Sequence, residues 1–336
     1  MIRFLLLLIS TASLLLGQVE NQIPRIEDPH AILGEFFPKY SLNNFTMNKL
    51  SGGYSDACNY RIDTTEKGEL MSYALRYYSK KRLQTNISSE FYMFKEASKM
   101  EIAPYIYEVS KDERAILTEF IKNKKLTLKQ IKEPKTIKRI AKAILKIHSI
   151  PKNPFPTSGV LDKYEQIYQS LSPTTNHKKA IAIIRNGVNA LHHKDGMKKS
   201  IHGELHPRNI FITEKKIQFI DWVETTWDVP FYDLSYFALL NDFGDKEEEL
   251  LLLYYLGHHP NETEMEQYNL TKMINLAGAY LTLERINKET YGNTLTTARE
   301  AEGKSWSYYV QIFASDNSEL DPQFFKDLAI KALEEA

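Results

Sequence analysis

One cysteine, Cys58, stands among the 336 residues, so an intrachain disulfide and a multi-cysteine zinc site are both excluded by count. A lone cysteine leaves the redox compartment open. Net charge is also missing: 43 Lys and Arg face 43 Asp and Glu. Such a chain projects no long-range field towards nucleic acid or an acidic membrane surface, and no nucleic-acid partner is expected. Internal repeats and low-complexity tracts are absent. Beyond the first residues, no apolar run approaches the roughly 20 residues that a spanning helix needs. What remains is ordinary globular composition, 43% hydrophobic and 26% charged, in a length that suits one large domain or two lobes meeting at a cleft.

The N-terminus reads differently. Met1-Ile2-Arg3 precedes an apolar run from Phe4 to Leu16, broken only by Ser10, Thr11 and Ser13. One positive charge before a short apolar stretch matches a secretory signal. Leu15, however, stands before Gly17 where cleavage wants a small residue. Residues 1–18 are read as a signal-like or anchor segment, with a buried helix or a start placed too early as alternatives.

From Pro38 to Phe120 the chain is strand-like and rich in turns. Met47 to Leu50, the turn Ser51-Gly52-Gly53, and Asn59 to Ile62 predict a hairpin. Tyr73 to Tyr78 predicts a strand. Asn86 to Met100 predicts a helix, with Ser88 and Ser89 as N-cap candidates and apolar residues at Phe91, Phe94 and Ala97. Strands are expected again at Tyr105–Val109 and Ala115–Ile121. After Lys122 long amphipathic helices follow. One carries Ile137, Ile140, Ala141, Ile144, Leu145 and His148 on a single face, and another runs from Ala180 to Leu191. The expected architecture is α+β, with a sheet-bearing N-terminal part (19–121), a hinge near Glu119 to Asn123, and a larger, mainly helical C-terminal part (122–336).

The segment with chemical content is His202-Gly203-Glu204-Leu205-His206-Pro207-Arg208-Asn209, followed by apolar strands that end in Ile220-Asp221-Trp222. A turn from Thr213 to Lys216 joins the strands, so the hairpin brings Asn209 and Asp221 together. Phosphoryl transfer needs such groups: a carboxylate to orient or deprotonate the acceptor hydroxyl, and oxygen ligands for Mg²⁺. Glu204 fits the first role, Asn209 and Asp221 the second.

This segment resembles the catalytic loop and metal strand of the aminoglycoside phosphotransferase and choline kinase family, whose pattern is H-G-D-x-H-P-x-N followed by I-D-W or I-D-F. Asp228-Val229-Pro230-Phe231-Tyr232-Asp233-Leu234 is similar to the family's D-P-x-x-D-L. The resemblance extends, patchily, over Leu50 to Leu240. It implies a protein-kinase-like bilobal fold, a nucleotide-facing glycine loop at Gly52 and Gly53, and a phosphate-touching basic residue at Arg76. It also implies a helix glutamate paired with that residue at Glu90 and an adenine-receiving hinge around Glu119. One departure stands out, because the family's catalytic aspartate is here Glu204. The side chain is one methylene longer, and a misplacement on the order of 1 Å can cost about 10²-fold in rate.

Blander readings compete. A diglycine is commonly only a turn, and Arg76 with Glu90 could be a surface pair contributing about 0–1 kcal/mol. His202 and His206 are expected to make structural hydrogen bonds, and His148 to be buried and satisfied. Asp233 reads as a cap for a helix starting near Leu234, while the resemblance implies a brace for the catalytic loop. The run Trp222, Trp227, Phe231, Tyr232 and Tyr236 is core, or an aromatic wall for a quaternary ammonium. The expected function is ATP- and Mg²⁺-dependent phosphorylation of a small-molecule hydroxyl acceptor, choline or ethanolamine first. A pseudokinase that binds ligand without turnover is the alternative. Dependence on ATP favours the cytoplasm, while the N-terminal run leaves export or anchoring open.

Overall fold

The computed structural model describes residues 33–34, 45–50, 57–66, 69–78, 84–122, 126–192, 198–291, 305–314 and 322–336. Gly52, Gly53 and the N-terminal apolar run lie outside the described residues.

The N-terminal lobe is an antiparallel sheet of β1 (Phe45–Lys49), β2 (Ala57–Glu66), β3 (Glu69–Tyr78), β4 (Ile106–Val109) and β5 (Ala115–Glu119), in the order β1-β2-β3-β5-β4. The strands β2 and β3 run further than the sequence suggests. Alternation on β3 sets the two faces of the sheet. Tyr73, Leu75 and Tyr77 join Tyr60, Ile62 and Leu117 in a small core on one side. Tyr78 joins the main core instead, where α1 (Gln84–Lys99) contributes Ile87, Phe91 and Phe94. Arg76 shares that second face, which turns it towards Glu90, a residue of α1 that is only 3% exposed.

The C-terminal lobe is mainly helical, as expected. Its elements include α2 (Leu128–Ile131), α3 (Pro134–His148), α4 (Val160–Ser170) and α5 (Thr175–His192). Further on come α6 (Phe231–Leu240), α7 (Asp245–Leu256), α8 (Glu262–Tyr291), α9 (Trp306–Ala314) and α10 (Pro322–Glu335). The long helix α8 is the spine against which α5, α6 and α10 pack. Between α5 and α6 lie four short strands. β6 (Lys199–Ile201) pairs with β9 (Thr226–Asp228), and β7 (Ile210–Ile212) with β8 (Ile217–Phe219). The β7–β8 hairpin is the one the sequence predicts, while the β6–β9 pair is too short to leave a pattern. Phe219 N–H donates to Ile102 O (2.7 Å) and Gln218 Nε2 to Ala103 O (3.0 Å), which fastens the hairpin to the segment after α1.

Two expectations need correction. Leu145 is 45% exposed. At 100° per residue it lies about 80° round from Ile137, just past the buried arc of α3, which Ile147 occupies on the other side. The helix expected from Leu234 begins instead at Phe231, so Asp233 sits inside its first turn and does not cap it.

Candidate active site

The loop leaving β6 is held by one buried carboxylate. Asp233 Oδ2 accepts from His202 N–H (2.7 Å) and Oδ1 from Gly203 N–H (2.8 Å). His148 Nε2 lies 3.0 Å from Asp233 Oδ2, and His148 Nδ1 is 2.8 Å from the Tyr255 hydroxyl. With Nε2 donating to Asp233 and Nδ1 accepting from Tyr255, every group in this chain is satisfied. Thus α3, α6 and α7 together fix the loop from behind, the brace reading of Asp233.

Gly203 turns the loop in the left-handed region (φ +82°), and a Cβ there would lie 2.5 Å from Glu224 O. Only glycine fits on both counts. Gly203→Ala is expected to destabilise the protein by at least about 1–2 kcal/mol. Thermal unfolding checks this, and an alanine variant as stable as wild type would contradict the loop geometry.

Both histidines of the loop are structural and uncharged. His202 Nδ1 accepts from Glu204 N–H (3.3 Å), while Nε2 lies 3.1 Å from Ile220 O and donates to it. Burial lowers its pKa, against the pull of Asp233 and Asp221. His206 Nδ1 accepts from Arg208 N–H and starts the 3₁₀ turn Pro207–Asn209. Burial, with Arg208 and His202, pushes its pKa down to about 3.

Glu204 follows directly. Its side chain is buried, and neither Oε1 nor Oε2 has a hydrogen-bond partner among the described residues. A carboxyl so placed resists ionisation. Burial raises its pKa well above the usual range, the Glu224 charge adds to this, Lys163 opposes it, and Asp221 raises it further.

Asn209 donates from Nδ2 to Glu204 O (3.1 Å), and Ile220 N–H donates to Asn209 O (3.1 Å). The turn and the hairpin therefore bring Asn209 beside the strand end that carries Asp221, as the spacing predicts. Asp221 itself has φ +65°, a left-handed conformation that costs a non-glycine residue energy and concentrates at functional sites. Its Oδ1 lies 3.5 Å from Arg76 Nη2, and the same nitrogen is 2.9 Å from Glu90 Oε1. Burial works against the Arg76 charge, but Glu90, Tyr78 and Asp221 outweigh it and raise its pKa. Arg76, Glu90 and Asp221 thus form one cluster across the two lobes. Glu119 stands apart at the end of β5. Its partner on β3 is Tyr73, three positions from Arg76 and about 10 Å along the strand. Its own N–H pairs with Tyr105 O.

Two charged residues escape the sequence reading. Lys163 of α4 lies 2.7 Å from Glu224 Oε2, with side chains 17% and 5% exposed. Burial depresses the Lys163 pKa, yet Glu224 and Glu204 outweigh that and raise it. Glu224 follows Asp221 closely enough to have been suspected; nothing in the text of α4 marks Lys163.

Two recesses meet at Lys163, Tyr164 and Gly203. One, of about 620 Å³, is walled by Tyr164, Tyr236, Leu240, Leu283, Trp306 and Leu328. The other, of about 990 Å³, is polar, with Thr157, Thr225, Thr226, Tyr232 and Asn275 on its walls. The aromatic run is accordingly split. Trp222 and Phe231 are core, Tyr232 faces the polar recess, and Tyr236 alone of the five reaches the apolar one. Tyr164 can approach α8 closely because residue 278 is glycine: a Cβ there would meet its ring at 2.1 Å.

The sequence profile of the phosphotransferase enzyme family (APH) matches residues 46–268, well over half the chain. The chain belongs to that family. Among solved structures, this phosphotransferase is similar to the choline kinase LicA of Streptococcus pneumoniae, with a TM-score of 0.63 and 19% identity, covering 92% of this chain and 99% of the other. It is similar also to the spectinomycin phosphotransferase APH(9)-Ia, solved with ADP and spectinomycin, at a TM-score of 0.54 and 16% identity, covering 92% and 98%. A LicA homolog of Mycoplasma capricolum is 22% identical over 147 residues, which are 44% of this chain and 60% of that relative. The chain therefore spans less than two thirds of the curated relative's length. These likenesses establish the kinase-like bilobal fold, and the family match places the chain among the phosphotransferase enzymes. Among the described residues no helix is long and apolar enough to cross a membrane.

Proposed function

We propose that this phosphotransferase moves the γ-phosphoryl group of ATP to the hydroxyl of a small amino alcohol of the choline or ethanolamine type. One observation carries the reading. Glu204, a buried carboxyl with no hydrogen-bond partner among the described residues, lies within electrostatic reach both of Asp221, a member of the Arg76–Glu90–Asp221 cluster, and of Tyr164 and Tyr236, which wall the apolar recess. Nucleotide is assigned to the cluster, whose arginine supplies the positive charge that phosphates need; the spectinomycin phosphotransferase was solved with ADP. Arg76, held by Glu90, would neutralise the phosphates; Gly52 and Gly53 would offer backbone N–H groups to them, and the segment around Glu119 would receive adenine. Residues 19–121 would thus serve the nucleotide and 122–336 the acceptor.

The donor set suits Mg²⁺. Asn209 commits its amide nitrogen to Glu204 O, which leaves the amide oxygen as the ligand atom, and Asp221 adds carboxylate oxygen. Two hard oxygen donors suffice for an ion that keeps several waters and shares phosphate oxygens. When bound, Mg²⁺ would neutralise charge on the β- and γ-phosphates.

In the transfer, the acceptor O–H gives its proton to Glu204, the freed oxygen bonds to the γ-phosphorus, and the bond from that phosphorus to the bridging oxygen breaks, releasing ADP. Glu204 must be ionised to receive the proton, and burial with the neighbouring Glu224 charge works against that ionisation. A cationic acceptor supplies the positive charge that favours the carboxylate, and aromatic faces favour the same cation. That is why an amino alcohol suits this site better than a neutral alcohol. Consumption of ATP suits a cytoplasmic reaction.

Mg²⁺–ATP is expected to raise the thermal stability by about 2.7 kcal/mol at a hundredfold excess over Kd, and choline or ethanolamine to be phosphorylated in an ATP-consumption screen. Absence of any nucleotide shift at millimolar ATP, with folded protein, would sink the reading.

A further inference from the structure

Lys163 has an unusual set of neighbours. Its ammonium is 2.7 Å from Glu224 Oε2 and 6.0 Å from the centre of the Tyr164 ring. A buried carboxylate with an aromatic face beside it is the chemistry that binds an organic cation. Here the cage already holds one, supplied by the protein. The position adjoins the proposed reaction site, because Gly203, the residue before Glu204, packs closely against Glu224 O and lines both recesses. Lys163 also lines both recesses, the apolar one and the polar one of about 990 Å³.

We propose that Lys163 is a resident stand-in for the ammonium group of the acceptor, and that a cationic acceptor binds by displacing it from Glu224 and Tyr164 into the polar recess. This rests on the amino-alcohol reading and adds to it a specificity device. A neutral alcohol cannot replace the lysine, because Glu224 would lose its close cation and keep only the more remote influence of Arg285, and breaking a buried ion pair is strongly unfavourable. A cation can, since the carboxylate changes partner and the lysine moves to a recess lined with hydroxyl and amide groups. The displacement also weakens acceptor binding, because the cage is free only for the fraction of time that Lys163 is out of it.

The test is calorimetric titration of choline into the full chain, at fixed pH and ionic strength, for wild type, Lys163→Met and Lys163→Arg. If the lysine is seated about nine-tenths of the time, its removal tightens Kd about tenfold. Lys163→Arg keeps a cation in the cage and is expected to gain nothing. A methionine variant that binds choline no tighter than wild type overturns the inference and leaves the amino-alcohol reading standing. If wild type and both variants all fail to bind choline, that reading falls, and this inference with it. Should Lys163→Met not fold, a crystal structure of the wild-type protein with choline decides. Lys163 Nζ is expected beyond 4 Å from Glu224; retention of the 2.7 Å pair with choline bound overturns the proposal.

Discussion

Glu204→Gln lowers kcat by about 10²–10⁴-fold, the usual worth of a positioned acid–base group, while KM for ATP stays near its wild-type value. The amide keeps the volume and the buried position but cannot take the acceptor's proton. The same substitution is expected to stabilise the fold. The folded-state pKa of Glu204 is raised above its unfolded value by burial and by Glu224. Its contribution to stability is therefore fully present below the unfolded pKa and lost as pH rises through the folded one. Glutamine has no such loss, so the variant gains in Tm over wild type as pH increases. Loss of rate with gain of stability separates a functional carboxyl from a merely structural one. For wild type, the acid limb of kcat/KM, which reports the free enzyme, should lie at higher pH than that of kcat, because bound amino alcohol brings its positive charge to Glu204. Glu204→Asp distinguishes two histories. Falling activity means that the site has adapted to the longer side chain; rising activity means that the natural enzyme is attenuated.

Asp221→Asn is the second large effect. Turnover is expected to fall by at least about 10²–10³-fold, the range seen when a preorganised charge stabiliser is removed. Asparagine preserves shape, and the pair between Arg76 and Glu90 (2.9 Å) survives without Asp221, so the fold should remain intact. A steady-state assay over a range of Mg²⁺ concentrations checks it. Near wild-type turnover would show that Asp221 is not the metal ligand.

Much of this was legible in the text of the chain. The β7–β8 hairpin could be read because its apolar residues bracket a polar turn, and the spacing alone implied that Asn209 and Asp221 meet. The pairing of Arg76 with Glu90 followed from the resemblance, and strand alternation places Arg76 on the helix-facing side of β3. Glu204 stands out in the sequence for its length, but its burial leaves no trace there, since the groups around it come from elsewhere in the fold. Lys163 and Tyr164 come from α4, and Tyr236 from α6. Lys163 looks like any solvated lysine in its own helix, and only the approach of α4 to Glu224 gives it a role. The aromatic run was legible only in part. Periodicity could not separate Trp222 and Phe231, which pack inwards, from Tyr236, and Trp306 enters from a helix far along the chain.

The central claim is transfer of phosphate to a cationic alcohol under the control of Glu204. ³¹P NMR of the full chain with Mg²⁺, ATP and choline tests it most directly. The account predicts a new phosphomonoester signal growing in step with ADP for wild type, and slowed by about 10²–10⁴-fold for Glu204→Gln. Bound but unchanged ATP with choline and with ethanolamine would contradict it and identify a pseudokinase.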